Sequence, residues 1–321
     1  MKKTLAGLMV AAMAVGVFAG SGAALADEAK DTYEIAYLTP SMDVPFWRYM
    51  STGIEREADK LGNVTVTTYD SKSSADIQYT NAQDVVVKGV DGIVISPTDS
   101  ASCVAVLSLA EEAGIPVAIS DVGTDSGEFV TFIKTNNYDG AKEGGEYMAA
   151  MLSEGDQVAE IVGPQARQNQ QDRRAGFDDG VGTAGVEIVG FQQMTLENRS
   201  EGETFTQDYL TAYPDLKAMF VSSDQAALGA LAACQAADRT DVSIFTFDSN
   251  DELLEAIRNG EIAGTATQQP LLMGAMALDG LVAHLDGEEV EQIQEVNTLL
   301  VTKDNIDEVY DVLAETAMVI E

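Results

Sequence analysis

The chain has 321 residues, with 18 lysines and arginines against 53 aspartates and glutamates, a formal net charge of −35. That balance excludes nucleic-acid binding, which needs a cationic footprint to neutralise phosphates. Two cysteines, Cys103 and Cys234, and one histidine, His284, supply neither a disulfide framework nor a metal-ligand cluster, so no metal or other cofactor is expected. The acidic residues are spread over helix faces rather than gathered in a tail, a pattern of solubility rather than disorder; the size of the excess suggests a saline habitat.

Residues 1–26 read as a secretory signal peptide, with a basic MKK start, an apolar run over 5–19 and Ala24-Leu25-Ala26 as the cleavage site before Asp27. The run is too short to span a bilayer comfortably, and no cysteine follows it for a lipid anchor. The mature chain is therefore expected to be soluble in the periplasm. Beyond it, β-rich runs alternate with helical patterns. YEIAYLT (33–39) leads into a helix over 45–61, VTVTTYD (64–70) into one over 77–88, and GIVIS (92–96) into one over 101–113. PVAIS (116–120) and FVTFI (129–133) precede a helix over 141–152. QVAEIVG (157–163) and VEIVGF (186–191) come before a helix over 205–213. KAMFVSS (217–223), VSIFTFD (242–248) and EIAGTAT (261–267) are followed by helices over 225–237, 251–258 and 273–285. Cys103 and Cys234 lie within Ala-rich helical patterns and read as buried free thiols. Glu111-Glu112 and Asp178-Asp179 read as solvated faces.

Continuous apolar strands separated by amphipathic helices indicate α/β architecture with parallel sheets covered on both faces. About ten such strands exceed one compact sheet of this type, so two doubly wound parallel-sheet lobes are expected, the first ending near Thr135.

Ligands of open parallel sheets sit outside the carboxyl ends of the strands. Those positions hold Asp43 to Trp47, Ser96 to Asp99, Asp121, Ser222 to Asp224, Asp248 and Gln268, with Arg173 following QVAEIVG after the polar run QARQNQQD. Aromatic rings such as Phe46 and Trp47, the only tryptophan, suit the apolar faces of a sugar or polyol. Carboxylates and an arginine fork satisfy its hydroxyl rim. Each has a plainer reading. Aromatics at a helix start commonly form a hydrophobic staple, and strand-terminal aspartates commonly cap helices, which fits Asp99 and Asp224 better than Asp121 or Asp248. Enzyme motifs are missing: there is no G-x-S-x-G elbow, P-loop or G-x-G-x-x-G after a strand. Asp121 and Asp248 as a glycosidase pair would have to be held at fixed separation by two lobes. Binding rather than catalysis is expected.

The residues from 27 onward resemble, nearly end to end, the type I periplasmic binding proteins of ABC importers in their ribose-binding branch. The resemblance is carried by VPFWRYMSTGIEREADKLG, VVVKGVDGIVISPTDS, AEEAGIPVAISD, RRAGF, LTAYPDLKAMFVSSDQAALGALAA, FTFDS and GEIAGTATQQP. The same fold forms the effector domain of LacI-type repressors, which carry an N-terminal helix-turn-helix where this chain has its signal-like segment. The resemblance implies a three-crossover hinge near Thr135, Gln268 and 296–298. The lobes are then 27–135 with 269–297 and 136–268 with 298–321. It implies a monomer that closes around its ligand and is read by a membrane permease, with a chemoreceptor as a possible second reader. The family's sugar contacts fall on Phe46, Trp47, Asp121, Arg173, Asp248 and Gln268, with Asp43, Ser96, Glu197 and Ser223 completing the candidate site. Departures put ribose itself in doubt. Val44, Ser96 and Ser223 stand where ribose binders have asparagine, Val122 where they have arginine, and near Glu197 an aromatic is missing. The expected ligand is a small neutral sugar or polyol, with a small cationic amine as the alternative.

Overall fold

The computed structural model describes residues 32–318, and the expected signal peptide lies outside them. The first run of elements is β1 (Tyr33–Thr39), α1 (Pro45–Leu61), β2 (Val64–Asp70), α2 (Ala75–Lys88), β3 (Gly92–Ile95), α3 (Ser100–Ala113), β4 (Val117–Ser120) and β5 (Thr131–Thr135). A second run follows: α4 (Asn137–Ala149), β6 (Gln157–Val162), α5 (Gln168–Val181), β7 (Glu187–Gln193), α6 (Arg199–Ala212), β8 (Leu216–Val221), α7 (Asp224–Ala236), β9 (Ser243–Phe247), α8 (Asp251–Asn259) and β10 (Gly264–Thr267). The chain ends with α9 (Pro270–Leu285), β11 (Ile293–Val296), β12 (Leu299–Thr302) and α10 (Ile306–Thr316).

The strands form two sheets, ordered β2-β1-β3-β4-β5-β11 and β7-β6-β8-β9-β10-β12. Every neighbour pair is parallel except β10 with β12. Both sheets repeat one winding, with the first strand of each run lying between its second and third. The chain passes from one sheet to the other after β5, after β10 and between β11 and β12, so the architecture is two doubly wound lobes joined by three crossovers.

Burial follows from the sequence runs. β3 and β4 are buried along their whole length, as expected for strands covered on both faces. Met50, Ile54 and Ala58 of α1 pack with Met273, Ala277, Leu278 and Leu281 of α9 on one face of the first sheet. Val85, Cys103 and Leu107 pack on the other. Cys234 lies in a core of the second lobe, and both thiols are free and buried.

Several elements differ from the sequence reading. Helix α4 starts four residues early, because the Asn136 side chain accepts the Asp139 N–H and caps it. Asn198 does the same for α6, through Glu201 N–H. Helix α5 was unforeseen, as were β11, β12 and α10. α5 lacks an apolar stripe because it packs on α4 through glycines. A Cβ on Gly176 would overlap the Tyr138 carbonyl oxygen, and one on Gly145 would lie 2.6 Å from the Phe177 carbonyl oxygen. Asp178, on α5, is not a solvated face. It sits half-buried beside Glu160, whose carboxylate accepts Arg174 Nε–H at 3.0 Å. Among the described residues, no helix is long and apolar enough to cross a membrane.

Candidate functional site

The carboxyl ends of both sheets open onto one cleft of about 690 Å³. Its first wall comes from the β1–α1 turn and α1, with Asp121 beyond β4. Its second wall comes from α5, the β7–α6 turn, the start of α7 and the residue after β9. Helices α1, α5, α7 and α9 all bring their first residues to the cleft, and none is capped by the side chain of its N-cap residue. Their positive dipole ends offset the carboxylates gathered there.

Phe46 and Trp47 make an edge-on pair, with ring centroids 4.8 Å apart and planes at 88°. Both line the cleft, and both also pack against the apolar core of the first lobe. The core contact meets the plainer reading, and the same two rings also border the cleft. Asp43 stands exposed at the rim, and its carbonyl accepts Arg48 Nη1–H at 3.1 Å.

Asp121 and Asp248 occupy equivalent places, one residue beyond β4 and β9. Asp121 N–H donates to the Ile133 carbonyl at 2.9 Å and Asp248 N–H to that of Ala266 at 3.1 Å. Both backbones are left-handed, with φ of +67° and +68°. Aspartate tolerates that region better than most residues, and the turn aims each carboxylate across the strand ends.

Their environments differ. Asp121 is 6% exposed, and its Oδ1 is sealed from solvent with no hydrogen-bond partner. Burial pushes its carboxyl up to about 6, against the nearby Arg173 charge, which pulls it down. Asp248 is held by neighbours. Its Oδ1 accepts Gln268 Nε2–H at 2.7 Å, and its Oδ2 lies 3.6 Å from Arg173 Nη1. Arg173, 3% exposed, also donates to Asn137 Oδ1 at 2.8 Å and to the Ser222 carbonyl at 3.1 Å, and its guanidinium lies 4.1 Å over the Phe247 ring. Gln268 accepts from Thr135 Oγ1–H at 2.7 Å. A continuous polar chain therefore runs from Thr135, at the end of the first sheet, through Gln268 and Asp248 to Arg173.

Glu197 lies further along the second wall, at φ +50°. Its carboxylate accepts from Arg167 Nη1 at 2.8 Å and Gln170 Nε2 at 3.0 Å. Ser223 stands at the N-cap of α7 and donates its hydroxyl to the Glu197 carbonyl at 3.3 Å.

Two sequence readings need correction. Asp224 does more than cap: at the first position of α7 its Oδ1 accepts Gln225 N–H at 2.7 Å. It lines the cleft, takes the Asn250 amide on its carboxylate, and is pushed up to about 6 by burial and the charge of Asp248. Asp99 does cap α3, accepting Ser102 N–H at 2.8 Å. Ser96 is fully buried beneath the cleft rather than lining it. Its hydroxyl is engaged by Tyr37 at 3.0 Å and Ser120 at 2.8 Å, in a chain of hydroxyls under the strand ends. The other candidate residues line the cleft together.

Sequence reasoning missed Arg167, Asn169 and Gln170 as cleft residues and Asn137 as the support of Arg173. The first three belong to the polar run noted after QVAEIVG, so their position past a strand end was the available signal.

Two parallel-sheet lobes with a polar and aromatic cleft between their strand ends define a two-lobed ligand-binding protein. The profile described as periplasmic binding protein domain matches residues 35–289, and the chain belongs to that family. It is 34% identical to the ribose import binding protein of Escherichia coli over 275 residues, 86% of this chain and 92% of the relative. Among solved structures, an ABC transporter solute-binding protein from Mycobacterium smegmatis with bound glycerol is similar at 28% identity and TM-score 0.81, covering 90% of this chain and 100% of that one. The Caulobacter myo-inositol binding protein, bound to myo-inositol, is similar at 26% identity and TM-score 0.79, covering 86% of this chain and 95% of that one.

Proposed function

We propose that this chain is the binding component of an ABC importer, that it captures a small uncharged sugar or polyol between its lobes, and that it hands the ligand to a membrane permease. The observation that carries the reading is the buried Asp121 Oδ1 without a partner, in the same cleft as the Phe46–Trp47 pair. A buried carboxylate oxygen left unpaired is costly. A ligand hydroxyl donating to it removes that cost, while the rings take the ligand's apolar face. The related sugar- and polyol-binding proteins support this choice of ligand class.

The lobes are proposed as 27–135 with 269–297 and 136–268 with 298–321, closing about the Thr135–Gln268 link. A cleaved signal over 1–26, a periplasmic location, a monomeric state and the absence of catalysis belong to the same proposal, with a chemoreceptor as a further reader of the closed form. The carboxylates also favour a second ligand, a small cationic amine held over Trp47. Against it, Asp248 is already bonded by Gln268 and Glu197 by Arg167.

Fluorescence decides between them, because Trp47 is the only tryptophan. Pentoses, hexoses, inositols, linear polyols and small amines are titrated, with Trp47→Phe as the blank. Saturable change with a neutral polyhydroxyl compound is expected. Response to amines alone, weakening steeply with salt, overturns the choice of ligand.

A further inference from the structure

The capture of a sugar or polyol leaves open which faces of the ligand carry hydroxyls, and the two walls of the cleft answer differently. The aromatic residues that line it, Phe46, Trp47 and Tyr49, all belong to α1. They offer an aromatic surface to one ligand face only, while Leu196 and Ala317 are the apolar residues of the second lobe that line the cleft. On the second lobe the wall holds Arg167 and Glu197, paired at 2.8 Å with side chains 35% and 23% exposed. Beside them, on the first turn of α5, Asn169 Oδ1 is sealed from solvent without a partner, as is Asp121 Oδ1 on the first lobe.

Acceptors without a partner thus stand in residues on both sides of the cleft, and a ligand donor that reached them would satisfy them. An apolar ring face pressed on the second wall would strip water from the Arg167–Glu197 pair and return no hydrogen bond. A hydroxyl on that face can donate to Asn169 or Glu197 and accept from Arg167.

We propose that the site selects a polyhydroxylated ring with an axial hydroxyl on the face turned away from Trp47, received by Arg167, Asn169 and Glu197. Flat rings with every hydroxyl equatorial are discriminated against, because both of their faces are apolar. The inference rests on the capture reading but can fail without it.

Isomer pairs test it by calorimetry on the purified protein. Myo-inositol and scyllo-inositol differ only in one hydroxyl, axial in the first; D-allose and D-glucose make a second such pair. The axial isomer should bind about tenfold tighter or more, the size expected of a hydrogen bond to a charged group. In the double variant Arg167→Met, Glu197→Leu the preference should shrink to within about threefold, with the thermal midpoint reporting that the fold is intact. Arg167→Ala alone should halve the logarithm of the preference or more, and it serves if the double variant does not fold. Equal or tighter binding of the equatorial isomer by the unaltered protein overturns the inference and leaves capture standing. So does a preference that survives both variants. If no saccharide or polyol binds at all, the capture reading falls as well.

Discussion

Replacing Asp121 by asparagine should stabilise the empty protein while weakening its grip on ligand. The carboxyl is lifted from 3.8 to about 6. Keeping it ionised in the fold at pH 7.5 therefore costs about 3 kcal/mol, at about 1.4 kcal/mol per pH unit. The sign follows from the raised value. The stability tied to this group is fully present below pH 3.8, drains as the pH rises, and is exhausted above about 6. Asparagine carries no charge to bury and accepts the left-handed backbone at φ +67°. Urea unfolding at pH 7.5 should show Asp121→Asn more stable than the unaltered protein by about 1–3 kcal/mol, with the gap closing toward pH 4. Its affinity for ligand should fall about 10- to 100-fold, the loss of one charge-assisted hydrogen bond. A variant less stable at pH 7.5, or one that binds as tightly as before, refutes the assignment of Asp121 as a buried acceptor waiting for a donor.

Glu160 makes the corresponding prediction away from the cleft. Burial and the neighbouring Asp178 carboxylate push it up to about 8 against the pull of Arg174, so its contribution to stability is lost between about pH 4.5 and 8. Glu160→Gln should match the unaltered protein near pH 5 and exceed it at pH 8.5 by up to about 4 kcal/mol in chemical unfolding; parallel curves at both pH values would remove the buried proton from the account. Gly176→Ala should lower stability by about 1–3 kcal/mol, because its methyl group meets the Tyr138 backbone, and an unchanged thermal midpoint would contradict the close α4–α5 contact. Sodium chloride should raise the thermal midpoint by screening a net charge of −35; a midpoint that falls with salt would show that self-repulsion is not what limits stability.

What the sequence disclosed depended on how each element is stabilised. Helix α1 and strands β1 and β2 appear with the bounds read from periodicity, because their apolar positions alternate at the spacing of their own geometry. Helix α5 was invisible to the same test. Its buried face includes Gly176 and Gly180, and backbone-to-backbone contact leaves no hydrophobic signature. The edge elements β11 and β12, four residues each, are too short for a pattern. At the cleft, the rule that ligands meet strand ends found Asp121, Asp248 and Gln268, since one residue past a strand is a position that sequence can name. It could not tell Ser96, which turns inward to Tyr37 and Ser120, from Ser223 beside the cleft. Nor could it tell Asp99, which caps α3, from Asp224, whose carboxylate also takes the Asn250 amide, because that partner lies 26 residues along the chain.

A crystal structure of the protein with its tightest-binding sugar or polyol decides whether Asp121 and Trp47 hold the ligand. One ligand is expected between the lobes, with an apolar face on Trp47 and a hydroxyl within hydrogen-bond distance of Asp121 Oδ1. Density outside the cleft, or a ligand that leaves Asp121 Oδ1 without a donor, would contradict that placement.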